Sequence, residues 1–331
     1  MDIEETGEGV EAVQLKALTT TYLKALEELK HVQPGVRKSE LKKSIDDLRE
    51  KVAWSFLDFG KYEEGLALYR LIPWRTHAKD KYIGMSRALT EMRRYDEARR
   101  LLEKALNKYP ESAMLWAGMG TFYDHTGDAV EALKCYETAL RFAPDNPVML
   151  FNEAHVLMQL GSHQDALEIM QDLVEKYPED PRYLSGRGYC ALETGYMEDA
   201  LRSYQKAMEI WKRNPTVYPG LCIFSGLCCA YLGFRMQKEA VEVAVEGLRI
   251  FPDQDSILYY NAAVAFYEIG WRQEARQVLQ KGLEKFPADE DLKNFLKRIE
   301  DDMDDPNGGG KSPLLGIVLL IAMLRKKMRR R

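Results

Sequence analysis

Residues 112–146, SAMLWAGMGTFYDHTGDAVEALKCYETALRFAPDN, decide the fold. Trp116, Met119, Gly120 and Tyr123 recur at three- and four-residue steps, so they share one face of a helix. Gly127 and Asp128 predict a turn, and Ala132, Tyr136 and Ala139 line a second helix that stops before Pro144. Bulky residues alternating with small ones at this spacing suit two closely packed antiparallel helices. The expectation is a helical hairpin with Trp116 buried in its core.

The same spacing extends in both directions. Pro110, Pro144 and Pro178 are 34 residues apart, each marking the end of a second helix. The pattern W-x2-M-G-x2-Y, then A-x3-Y-x2-A and P, resembles the tetratricopeptide (TPR) repeat, whose period is about 34 residues. The resemblance implies an all-α fold, a right-handed α-solenoid of stacked helix-turn-helix repeats. Clear units are expected at 79–112, 113–146, 147–180, 181–214, 221–255 and 256–288, with a degenerate one at 46–78. Pro215 and Pro219 predict an extended loop where the register slips after Trp211. An N-terminal helical segment is expected at 1–45, with helices over about 10–31 and from Ser39 to about Phe59. A capping helix should fill 289–303, followed by a flexible linker at 304–312 and a tail helix at 313–331.

The chain has 331 residues, 46% hydrophobic and 30% charged, with a net charge of −5. That balance suits an ordered repeat protein and gives no basic bias toward nucleic acid. The first residues, MDIEETGEGVEA, are acidic where a signal peptide would be basic and then apolar. The five cysteines are Cys135, Cys190, Cys222, Cys228 and Cys229, read as reduced thiols in a cytoplasmic body.

Enzymatic features are absorbed by the repeats, so no catalytic residue, cofactor, metal or small-molecule substrate is expected. GGGKS at 308–312 ends like a phosphate-binding loop, but Asp305 stands where its first glycine belongs and no strand precedes it. Gly120 and Gly188 sit where the two helices of a repeat touch. Cys222, Cys228 and Cys229 lack the paired short spacing of a zinc site, and Cys228 falls at a small-residue packing position. The five histidines are scattered.

A binding groove is the expected functional element. The ninth positions of the first helices, Arg87, Thr121, His155, Tyr189, Cys229 and Val264, should line its concave face. Ile83, His125, Phe151, Asn152, Arg182 and Ser185 neighbour them, as do Tyr260, Asn261 and Tyr267. Rings, amides and an arginine suit an extended peptide or a protein segment. Some TPR domains hold a chaperone's C-terminal carboxylate with a clamp of two lysines, two asparagines and an arginine. Here Asn152 matches one amide and Arg182 replaces a lysine, but Ala117, Thr121 and Gly186 fill the other positions, so that ligand is rejected.

The tail carries a second signal. An apolar run of 11 residues contains Leu314, Leu315, Ile317, Val318, Leu319, Leu320, Ile321 and Leu324. Arg325, Lys326, Lys327, Arg329, Arg330 and Arg331 follow it. At about 1.5 Å per residue the run covers roughly 16 Å, short of a bilayer core of about 30 Å. An apolar helix with a basic end nevertheless fits attachment to an anionic membrane surface. The expected protein is therefore a TPR scaffold, with a membrane as partner of its C-terminus. The alternative is a soluble chaperone or adaptor whose basic tail binds an acidic protein or RNA.

Overall fold

The structure, a computed structural model, describes residues 10–32, 35–74, 78–213, 215 and 217–304. Among these residues are sixteen helices and no strand. The fold is all-α, of the right-handed α-solenoid class built from stacked TPR hairpins. The chain divides into two compact units, Met1–Met149 and Leu150–Arg331.

The first unit holds α1 (Val10–His31), α2 (Val36–Asp58), α3 (Tyr62–Leu71), α4 (Ala78–Glu91), α5 (Tyr95–Lys108), α6 (Ala113–Thr126) and α7 (Ala129–Phe142). Helix α2 starts at Val36 rather than Ser39, because Gly35 turns the chain and its carbonyl accepts from the Ser39 N–H. It runs unbroken through residues 45 and 46, so one helix serves both the N-terminal segment and the first hairpin. Leu57, Tyr69, Leu102 and Leu115 are fully buried in this unit's core.

The quoted hairpin is α6 and α7. Gly127 ends α6 at φ 83°, and the Asp128 carboxylate caps α7 by accepting from the Glu131 N–H at 3.2 Å. Trp116 departs from expectation: it is half-buried, and its indole N–H donates to the Pro110 carbonyl at 2.7 Å. That bond holds the ring at the connection between hairpins, while neighbouring Leu115 takes the sealed position.

The second unit continues α8 (Pro147–Leu160) from Leu150. It adds α9 (His163–Lys176), α10 (Pro181–Glu193), α11 (Met197–Arg213), α12 (Val217–Gly233), α13 (Gln237–Ile250), α14 (Ser256–Glu268), α15 (Arg272–Lys285) and the closing α16 (Glu290–Asp304). The extended loop expected at 214–220 is mostly helix. Both α11 and α12 have 17 residues against 14 in α13, so the inserted residues are absorbed as nearly one extra turn each. Pro219 is the third residue of α12, where its missing N–H breaks no helical bond. Trp211 is buried against Phe224 and Phe251, with ring centroids 5.4 and 6.0 Å away, which favours extending the helix that carries it. The tail and the GGGKS motif lie outside the described residues. Among the described residues, no helix is long and apolar enough to cross a membrane.

Turn chemistry varies along the array. Gly127, Gly161, Gly195 and Gly270 have φ of 83–86°, whereas Arg93 and Arg235 occupy the same left-handed region at 58°. A β-carbon is strained there, at about 1–2 kcal/mol per residue. Arg93→Gly should therefore raise stability by about 0.5–1 kcal/mol, after allowing for glycine's greater chain entropy. Gly161→Ala, whose β-carbon would meet no neighbour, should lower it by about 1 kcal/mol through backbone strain alone. Thermal or urea melting of the two variants checks the opposite signs.

Candidate functional site

A ring placed on a glycine sets the spacing of the helices and carries polar groups to the inner face, the side formed by first helices. In α6–α7 the space for the Tyr136 ring depends on Gly120: a β-carbon there would lie 2.9 Å from the ring. The Tyr136 hydroxyl then comes within 3.0 Å of Thr121 Oγ1. The Thr121 hydroxyl is also within 3.1 Å of the Ala117 carbonyl, to which it can donate.

In the first unit α2 packs on α4 and α4 on α6, so their faces adjoin. Tyr69 of α3 is inserted against Gly84 of α4, where any β-carbon would overlap its ring. Trp54 of α2 meets Tyr69 edge-on, with centroids 6.0 Å apart. The Arg87 guanidinium lies 5.3 Å over the Trp54 ring and pairs with Asp58 at 2.9 Å. Below them Tyr62 hydrogen-bonds Glu91, which faces His125 at 3.6 Å. Arg87 and Thr121 are partly accessible and His125 is exposed. Trp54 was missed because it lies in the degenerate repeat. It is the ninth residue from 46, the same place as Arg87 and Thr121 in theirs.

The second unit departs further from expectation. Phe151, Asn152 and His155 of α8 are half-buried; Phe151 lies 5.6 Å from the Tyr183 ring, and His155 Nδ1 is 3.3 Å from Gln159. Arg182 is exposed but folds back on Asp180, its Nη2 donating to Oδ2 at 2.6 Å. Ser185, Tyr189 and Cys229 are buried, not solvent-facing. Tyr204 of α11 explains this: its ring needs the space of Gly188 on α10 and Gly226 on α12, drawing both helices inward. The charges of Cys222, Cys229 and Tyr189, were they ionised, would all bear on its hydroxyl, placing these groups around one filled core.

Tyr260, Asn261 and Tyr267 are also removed from an open groove. Helix α16 packs on the two tyrosines, with Phe295 at 5.1 Å from the Tyr260 ring and 5.9 Å from Tyr267. The Tyr267 hydroxyl donates to Asp302. Asn261 is fully buried, and its Nδ2 donates to Ser225 Oγ at 2.8 Å.

The cysteines form no disulfide, and no group of three or more metal-binding side chains occurs among the described residues. Burial pushes the Cys135 thiol up to about 11 and those of Cys190 and Cys228 up to about 12. Such thiols stay protonated and unreactive at neutral pH.

Residues 89–148 and 125–188 match the sequence model of the tetratricopeptide repeat. Protein FlbA of Caulobacter vibrioides is 39% identical over 67 residues, which cover 20% of this chain and 11% of FlbA. The match therefore spans only about a tenth of that relative's length. Among solved structures, the APC/C hetero-tetramer Cut9–Hcn1 aligns with a TM-score of 0.65 at 19% identity, covering 90% of this chain and 57% of that one. Yeast Tom70 aligns at 0.57 and 15% identity, covering 88% and 61%. These likenesses carry the fold.

Two tests follow from the burial pattern. Tyr189→Ala should cost about 3–5 kcal/mol as a core cavity, whereas Arg182→Ala should stay within about 0.5 kcal/mol. Denaturant titration separates them. Alkylation of the native protein at pH 8 should label half-buried Cys222 first, with the four buried thiols following only on unfolding. Peptide mapping over time reads the order.

Proposed function

We propose that this chain is a non-enzymatic TPR scaffold in the cytoplasm that holds a peptide or protein segment on its inner helix face. The observation that carries the reading is the first unit's face, where Trp54, Arg87, Thr121 and His125 from three successive first helices stay partly accessible. An aromatic ring and a guanidinium beside several carboxylates offer contact area and directed charge, as peptide-binding faces require. In the second unit Phe151, Asn152 and His155 also stay partly accessible and Arg182 is exposed, offering similar chemistry.

The reading includes a membrane tether through residues 313–331, supported by the apolar run and basic end of the sequence. Pull-down with the full chain should recover a protein partner whose capture Arg87→Ala weakens about tenfold, with circular dichroism unchanged. Unchanged capture would sink the groove. Flotation on anionic liposomes should retain the full chain through a high-salt wash, and deletion of 313–331 should release it. Retention lost at moderate salt, with acidic protein or RNA bound instead, would favour the basic tail as a polyelectrolyte contact.

A further inference from the structure

The second unit carries a row of apolar side chains along one edge, where each first helix turns into its second. Tyr196, Phe234 and Trp271 stand in three successive turns and keep 53%, 37% and 52% of their surface exposed. The hairpins are in step there. Gly188 and Gly226 lie against the same Tyr204 ring, about two helical turns before Tyr196 and Phe234 respectively. Asn261 of α14 bonds Ser225 of α12 at 2.8 Å, which sets Trp271 level with Phe234. The Met197 side chain reaches Gly233 and joins the first two turns. Stacking on Phe266, with centroids 6.0 Å apart and planes at 17°, fixes the Trp271 ring at the edge. Contiguous exposed apolar groups of this kind mark an interaction site.

Helix α16 delivers the chain to this edge. The Tyr267 hydroxyl donates to Asp302, and Arg276 pairs with Glu300 at 3.1 Å, so the last turns of α16 lie beside the turn that holds Trp271. From there residues 305–313 reach at most roughly 30 Å, at about 3.3–3.6 Å each. Packed helices are about 8–10 Å apart, which puts Tyr196, two first helices further on, about 20 Å from Trp271. The uncharged run from Leu314 to Leu324 covers roughly 16 Å as a helix, close to the length of the row.

Charge supports the same path. Arg235 and Lys238, the exposed cations beside Phe234, fall under the uncharged run. Beyond Tyr196 the second helices open on acidic residues, Glu198 and Asp199 in α11 and Asp165 in α9. Asp165 is exposed, and Glu198 keeps 80% of its side chain in solvent. The turn before α9 adjoins the end of α10, with His163 3.7 Å from Glu193, so the row of turns continues toward Asp165. Basic residues 325–331 would arrive among these carboxylates, whereas an anionic lipid surface would be repelled by them. A segment of the same chain also comes at an effective concentration on the order of millimolar.

We propose that residues 313–331 dock across the turn edge of the second unit. The apolar run lies on Trp271, Phe234 and Tyr196, and the basic end meets Glu198 and Asp165. This goes beyond the tether reading, which uses the same residues: docking and lipid insertion engage the same apolar side chains and therefore compete.

The test replaces Leu319 by p-benzoylphenylalanine in the full chain, irradiated at high dilution without lipid. Peptide mapping should place crosslinks within one chain, on the turns at 194–197, 233–237 or 269–272. Tyr196→Ser with Phe234→Ser should cut their yield about fivefold or more. Val245→Ser, at an exposed apolar position on α13, should change it less than about twofold, with melting unchanged in both variants. The edge pair should also lower the anionic-liposome concentration needed for half flotation about threefold. Crosslinks on other helices, only between chains, or none at all overturn the docking. Wild-type flotation with the same lipid requirement in the edge pair overturns the competition. If the crosslinks fall on the edge but no form floats, docking stands and the tether falls. Flotation without edge crosslinks leaves the tether standing and removes the docking.

Discussion

A tyrosine ring pressed onto a glycine is the contact on which this structure depends. Tyr136 on Gly120, Tyr69 on Gly84, and Tyr204 on both Gly188 and Gly226 are versions of one device. The ring comes from a second helix and the glycine from a first helix, either of the same hairpin or of the next. Without a β-carbon, the backbone approaches the ring within van der Waals reach, which sets helix spacing and registers one hairpin on its neighbour. The same geometry carries the hydroxyl through to the inner face.

What becomes of that hydroxyl distinguishes the two units. In the first, Tyr136 is matched by Thr121, while Tyr69 is fully buried with no hydrogen-bond partner for its hydroxyl. In the second, Tyr204 is sealed among Tyr189, Cys222 and Cys229, and α16 closes over Tyr260 and Tyr267. Desolvation raises the buried Cys228 thiol to about 12, which keeps it a small apolar filler. Equivalent repeat positions thus serve as open face in one unit and as core in the other. The difference comes from the size of the residues facing the tyrosine and from what covers them.

Helix lengths adapt around the same contacts. The residues inserted after Trp211 lengthen α11 and α12 instead of forming a loop, because Trp211 gains more by packing on Phe224 and Phe251 than a frayed end would leave it. Pro215 and Pro219 offered a reason to expect extended backbone. Proline's penalty vanishes in the first turn of a helix, and Pro219 falls there.

The repeat period, the hairpins and the glycines that admit rings were legible in the sequence, because local spacing alone dictates which residues share a helix face. Packing glycines at 120 and 188 and the small-residue role of Cys228 followed from the same rule. Accessibility was not legible. Tyr189, Cys229 and Tyr260 sit at positions that a regular array leaves open, yet they are buried through contacts between separate helices, with Tyr204 and with α16. Trp54 was hidden for the opposite reason, since its repeat is degenerate and only the folded chain brings it beside Arg87. Sequence by itself determined the hairpin, through the three- and four-residue spacing from Trp116 to Tyr123. Tertiary structure decided that Trp116 stays half-buried, held by its bond to Pro110, and which inner faces remain open, because burial depends on neighbours that periodicity does not encode.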